Sequence, residues 1–256
     1  IEFFGTFGKG YATFDYQALI VTGLNANGFD RNNWVAGGKQ GFFEVDNFTS
    51  PAYVARLDYR GVPGLRIGGS FYYCVNTASN SDKVATYAGV KAPLRSYTVD
   101  GQYKNKYVTA RTNFVFGNLT GATAISNKNK GLSNSSPYTR VVQVAKKAVS
   151  YAGEVGVNLR SICNGNKKVP VIYPFARYEY YNPQEAGEKG QLPMDKRNQV
   201  SMWTAGLNWY ALPNLVVTAD YMTRQIGTGK VFGKGKYNSE NEFSIGIAYV
   251  GWFIKK

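Results

Sequence analysis

The sequence predicts an all-β fold, a transmembrane antiparallel up-and-down β-barrel, on three observations. Segments of alternating polarity recur along the whole chain, tight turns alternate with long loops, and the apolar face of the strands is aromatic toward its ends.

Composition sets the class. The 256 residues include 29 Gly, 20 Tyr and 15 Phe against 3 Met, and amide- and hydroxyl-rich segments are interleaved with aromatic ones. No stretch approaches the roughly 18 to 20 continuous apolar residues of a spanning helix, and mean hydropathy is negative. A barrel strand escapes that test, because about 9 to 11 residues suffice and only every second one must be apolar. The chain begins at Ile1 without Met, basic n-region or apolar h-region, so an export signal is expected to have been removed or to lie upstream.

Period-two alternation places eleven strands at about 1–7, 11–23, 52–60, 65–74, 95–103, 106–117, 147–160, 168–180, 198–210, 214–225 and 241–253. A short helix is expected around Tyr138–Lys147. Gly8-Lys9-Gly10, Gly61-Val62-Pro63-Gly64, Lys104-Asn105, Cys163-Asn164-Gly165-Asn166 and Leu212-Pro213-Asn214 read as tight turns. Between them fall loops of about 24–51, 75–94, 118–146, 181–197 and 226–240, so short and long connections alternate without exception. Outer-membrane barrels have short periplasmic turns and longer extracellular loops, and residues 1–256 therefore read as a single barrel domain. A soluble sandwich has no reason to keep its long loops on one side.

The faces divide along the strands. Tyr53, Ala55, Leu57 and Tyr59 oppose Arg56, Asp58 and Arg60, and Trp203, Ala205, Leu207 and Trp209 oppose Thr204, Gly206 and Asn208. Tyr53, Tyr59, Trp203, Trp209, Tyr249 and Phe253 lie toward strand termini on the apolar face, where an aromatic girdle meets lipid headgroups. Cross-strand aromatic packing in a sandwich core is the competing explanation. With the C-terminus periplasmic, all five tight turns fall on the periplasmic side and strand 1–7 runs inward. An odd count of eleven then implies further strands before Ile1, or other material closing the wall.

Leu207 to Leu215, which reads Leu-Asn-Trp-Tyr-Ala-Leu-Pro-Asn-Leu, resembles the "NWY, then PN" turn of phosphate-selective porins of the O and P type. Pro51–Tyr59 followed by Gly61–Ser70 is similar to a hairpin of related Bacteroidetes porins, and Tyr173–Glu179 looks like another of their strands. The resemblance spans about residue 51 to the end. It implies a bacterial outer-membrane pore of about sixteen strands, often trimeric, with roughly five strands upstream of this chain. The architecture is carried over but no phosphate site, because the family's constriction residues do not align onto particular positions of this chain.

Formal charge is +14, from 30 Lys and Arg against 16 Asp and Glu, which points to anionic partners: lipid headgroups, lipopolysaccharide phosphates, nucleic acid, or anions in transit. The loop alternation argues against a soluble nucleic-acid binder. Arg56, Arg60, Arg66, Arg111, Arg160, Arg177 and Arg224 are the candidate lumen cations, offering forked hydrogen bonds to oxyanions. The plainer expectation is that they pair with Asp58, Asp100, Glu154, Glu179 and Asp220 and stiffen the wall. Lysines at 83, 91, 128, 130, 146, 147, 189, 196, 230, 234 and 236 fall in the long loops, as an anion funnel or as solvated charge.

The chain has no His, which removes the commonest general base and the usual imidazole ligand, so neither catalysis nor a cofactor is expected. Gly227-Thr-Gly-Lys lacks the strand-loop-helix context of a phosphate loop. Cys74 and Cys163 fall at opposite ends of their strands, too far apart for a bridge. The expected function is a passive porin for small anions or polar solutes; the alternative is a plugged barrel that docks partners in a larger outer-membrane complex.

Overall fold

A computed structural model describes residues 1–40, 48–81, 85–129, 143–227 and 237–249. Eleven strands form one sheet in chain order: β1 (Glu2–Phe7), β2 (Phe14–Val21), β3 (Ala52–Tyr59), β4 (Leu65–Cys74), β5 (Leu94–Lys104), β6 (Val108–Leu119), β7 (Lys147–Val157), β8 (Val171–Ala186), β9 (Val200–Leu212), β10 (Leu215–Gly227) and β11 (Tyr237–Tyr249). Every neighbouring pair is antiparallel, as an up-and-down meander requires. Two short helices interrupt the connections, α1 (Ala122–Asn129) and α2 (Leu159–Ile162). Among the described residues no helix is long and apolar enough to cross a membrane.

The strands are staggered. One line of register partners runs Phe7, Phe14, Tyr59, Ile67, Gly101, Thr112, Gly153, Tyr178, Trp203, Thr223 and Asn241. It starts at the tight-turn end of β1 and finishes near the long-loop end of β11. The strands therefore climb steadily past one another, the offset that tilted strands need before a sheet can curl toward closure.

The same line and its parallels two residues away carry the apolar side chains, so every strand turns one face apolar. Phe243, Ile245 and Ile247 on β11 are 66%, 67% and 73% exposed, and Leu57, Val99, Phe114, Val155 and Leu207 are exposed too. Aromatic neighbours touch along this face: Phe71 and Tyr97 at 5.0 Å between ring centres, Tyr151 and Tyr180 at 4.8 Å, Tyr178 and Trp203 at 4.6 Å. Nearer the turn end, Phe7, Phe14 and Tyr59 form a second cluster, each step 5.4 Å. Each such pair adds about 0.5 to 1.5 kcal/mol beyond its burial.

Several expected boundaries move. β2 begins only at Phe14, because Gly10–Ala12 form a 3-10 turn. β7 ends at Val157 rather than 160, because the Asn158 side chain accepts from the Ser161 N–H and starts α2. The expected turn at Cys163–Asn166 is thus the tail of a longer connection, 158–170, which matches 187–199 on the opposite side. The alternation of short and long connections consequently fails at this one place. β8 continues through Pro183 to Ala186, where a register irregularity opposite Lys147–Val149 absorbs the proline, and the loop expected from 181 starts at 187. The helix expected around Tyr138–Lys147 lies outside the described residues up to 142, and residues 143–146 are not helical.

Among the described residues the buried core lies at the long-loop end and not between two sheets. Phe29, Leu94, Leu119, Ile125 and Val144 are at most 1% exposed, and each sits in a long loop or in the strand residues next to one. Cys74 is buried at this end and Cys163 is exposed at the other; both are free.

Candidate functional site

The face opposite the apolar one carries most of the charge, although Arg95 lies on the apolar face over the Tyr73 ring at 5.6 Å. Register places Arg56, Arg66, Lys104, Arg111, Arg177 and Arg224 there, with Arg60 just past β3 on the same side. Against them stand Glu2, Asp15, Asp58, Asp100, Glu154, Glu179, Asp220, Glu240 and Glu242, so on this face acids outnumber cations although the chain as a whole is strongly basic. The excess of lysine lies in the connections. Lys91, Lys128, Lys146, Lys147, Lys189 and Lys196 sit at the loop end. Lys83, Lys130, Lys230, Lys234 and Lys236 lie outside the described residues, as do Phe253 and residues 228–230 of the glycine-rich segment.

Six of the seven candidate arginines are held by carboxylates. Arg56 lies between Asp58 and Asp100, with Nη2 to Asp58 Oδ1 at 2.6 Å and Nη1 to Asp100 Oδ1 at 2.7 Å, and Arg66 reaches the same acids at 3.6 and 3.4 Å. Arg60 pairs with Asp15 at 2.7 Å. Arg111 pairs with Glu154 at 2.7 Å, and Arg177 bridges Glu154 and Glu179 at 3.8 and 3.2 Å. Arg224 takes Glu240 at 2.9 Å, a partner absent from the sequence expectation, whereas the expected Asp220 accepts from the Ser244 hydroxyl instead. The more exposed of these pairs, such as Arg60 with Asp15, contribute about 0 to 1 kcal/mol each, and all of them cancel much of the field that a bare guanidinium would project.

Arg160 departs from expectation. It sits in α2 rather than on a strand, and its Nε donates to the Val169 carbonyl at 2.6 Å, closing the connection at the turn end. The ending of β7 at Asn158 is the reason. The girdle residues Tyr53, Tyr59, Trp203, Trp209 and Tyr249 all lie on the apolar face by register, with Trp203 59% exposed.

The loop after β2 was the largest omission of the sequence pattern. Its Asp30 carboxylate accepts from the N–H groups of Asn32 and Asn33 at 2.7 and 2.6 Å, forming a turn that presents Trp34 with φ +54°. A left-handed tryptophan costs about 1 to 2 kcal/mol, so packing must hold it there. The indole N–H donates to the Ala145 carbonyl at 2.9 Å, and the ring rests on Gly117 of β6, where any Cβ would collide with it. The loop therefore reaches over the polar face. The Asp-x-Asn-Asn turn is visible in sequence; the distant glycine that receives the ring is not.

Two more loop-end segments lock onto this one, and a third locks onto α1. Asn129 of α1 donates to the carbonyls of Ala26 and Phe29 at 3.2 and 3.1 Å, and its amide oxygen accepts from the Tyr87 hydroxyl, which burial pushes up to about 12. Asn80 accepts from Ser50 N–H at 2.8 Å and donates back to the Ser50 carbonyl at 2.9 Å. Glu188 accepts from the Gly121 and Thr123 N–H groups at 3.1 and 2.9 Å, satisfying the start of α1 from another loop. Burial raises that carboxyl's pKa, but the two N–H groups together with the Thr123 side chain and the charge of Lys146 outweigh it and leave it below the ordinary value. Asp195 is likewise held low by its forked bonds from Arg197.

Between the loops and the wall lies a cavity of about 550 Å³. Asn32, Asn33, Trp34, Arg197 and Asn198 line it from the loops, and Ser150, Tyr181, Val200 and Arg224 from the strands. A second, of about 320 Å³, is lined by Arg111, Glu154, Arg177 and Glu179 in mid-wall. A third, of about 540 Å³, lies at the turn end beside Asp58, Arg60, Arg66 and Lys104. A fourth, of about 340 Å³, is lined by Lys104, Arg160, Tyr173 and Tyr210 at the turn end, so among the described residues the polar face offers four recesses along the strand direction. No protein-family model and no curated protein matches the chain.

Proposed function

We propose that the chain forms most of the wall of a bacterial outer-membrane β-barrel and lines a passive path for polar solutes. The observation that carries this is the apolar face: Leu, Ile, Val, Phe, Tyr and Trp continue across the eleven strands and are exposed on ten of them, while most of the charges keep to the other side and Arg95 lies over the Tyr73 ring at the loop end of β5. Moving one such side chain fully from water into hydrocarbon is worth up to about 1.5 to 3 kcal/mol, repeated on every strand. The stagger of the strands supports closure into a barrel, completed by material beyond these eleven. The resemblance to Bacteroidetes phosphate-selective porins supports the same architecture, including assembly as a trimer in the outer membrane with lipid and lipopolysaccharide around it.

Paired arginines favour polar solutes over strong anion selection. A wall whose cations are nearly all answered by acids discriminates weakly between ions. Purified protein in planar bilayers is expected to give channels, with a reversal potential in a salt gradient close to zero. Absence of channels across salt conditions defeats the proposal.

The interlocked loop end favours a second reading, a barrel closed at one mouth that serves as a docking or structural subunit. It predicts silent bilayers in which deletion of 25–38 opens conductance.

A further inference from the structure

We propose that the loop-end cavity is a binding site for a neutral, hydroxyl-rich solute of mono- to disaccharide size. This names a substrate class for the polar-solute path proposed above, although binding itself needs no conduction.

The recesses differ in chemistry. In the mid-wall recess and in the turn-end recess beside Asp58 carboxylates stand beside cations in the lining itself, and in the smaller turn-end recess Lys104 and Arg160 stand without amides. The loop-end cavity has no carboxylate in its lining, and its two guanidiniums are already committed: Arg197 to Asp195 and Arg224 to Glu240, both acids outside it. What it presents instead is the amides of Asn32, Asn33 and Asn198 with the hydroxyls of Ser150 and Tyr181; one N–H of Asn33 is taken by Asp30, one of Asn198 by Gln184, and the Tyr181 hydroxyl bonds Arg224, which leaves Asn32 and Ser150 as the open pair. Among the described residues the Asn32 side-chain amide and the Ser150 hydroxyl make no hydrogen bond.

Amides and hydroxyls offer donors and acceptors together. A sugar hydroxyl is also both, so each group finds a complement. A small anion supplies acceptors only, and the amide oxygens would face it unpaired. Val115, Val200 and Pro183 give the site an apolar side suited to the C–H face of a sugar ring. The volume of about 550 Å³ falls within the range of about 300 to 1,000 Å³ usual for small-molecule sites. The site is also built rigidly, since the Trp34 bond to Ala145 and the seat on Gly117 fix the turn that forms one side of it.

The test is equilibrium dialysis of the full chain in lipid nanodiscs against radiolabelled sucrose, glucose and glucuronate. Saturable sucrose binding is expected, with glucose bound more tightly than glucuronate. Asn32→Ala and Ser150→Ala are each expected to weaken sucrose about two- to tenfold, the effect of one lost hydrogen bond. Neither side chain carries a structural bond, and circular dichroism is expected to show both variants folded. Absence of saturable sucrose binding, tighter binding of glucuronate than of glucose, or unchanged binding in both variants overturns the proposal. Sucrose binding by a protein that forms no channels leaves the site standing and removes the channel.

Discussion

The loop end and the strand wall are stabilised in opposite ways. At the loop end, side chains are buried and backbone groups are satisfied by distant amides: Asn80, Asn129, Gln191 and Glu188 each bond main-chain atoms of another segment. Along the wall, one face is exposed apolar surface and the other a set of half-hydrated ion pairs, with backbone bonds running only between sequence neighbours. The lesson is that, among the described residues, a conventional core forms only where the loops meet. Elsewhere the apolar residues lie exposed on one face of the sheet, as the proposed bilayer setting requires.

Four substitutions sharpen that contrast. Phe29→Ala, at 1% exposure in the loop core, is expected to cost about 3 to 5 kcal/mol and to open the loops to protease while the strand signal in circular dichroism survives. Val99→Arg, in the middle of β5 on the apolar face, is expected to cost about 2 to 4 kcal/mol in urea unfolding from lipid vesicles. On a sheet bathed in water the same change at a 55% exposed position would be nearly neutral. Equal stability of the Val99→Arg variant breaks the comparison at its weaker side.

Glu188→Gln removes the charge that answers two N–H groups of α1, with an expected loss of about 1 to 2 kcal/mol near neutral pH. The sign follows from the lowered carboxyl. Its stabilisation is fully present above the ordinary glutamate value of 4.5 and fades as pH falls through the lower folded value, so the wild type and the variant are expected to converge in acid. Hydrogen exchange at 121–129 across that range checks it. Arg111→Gln, on the polar face, is expected to change stability by about 1 kcal/mol or less, because Arg111 itself is largely exposed and Glu154 keeps Arg177.

Much of the wall is legible in the sequence because a strand with one apolar and one polar face writes its geometry as a period of two. Leu57, Arg56 and Asp58 declare their sides without any tertiary information. Boundaries fail where a side chain competes with the ladder, as Asn158 does by starting α2, or where a bulge lets Pro183 remain in β8. The loop end is illegible for a different reason. Its order comes from amides reaching across long sequence separations, such as Asn129 to Ala26, and an asparagine in a long loop looks the same whether it holds water or a carbonyl. The seven arginines were recognisable as a group, yet their pairing with Glu240 or with both Asp58 and Asp100 depends on register between strands.

The outward apolar face is most directly tested by its tryptophans. In a Trp34→Phe/Trp252→Phe variant the remaining indoles, Trp203 and Trp209, both lie on that face, 59% and 46% exposed. Reconstituted into vesicles of brominated phospholipid, their fluorescence is expected to be strongly quenched and to be insensitive to aqueous iodide. Fluorescence that iodide quenches and brominated lipid leaves unchanged would contradict a wall that faces lipid.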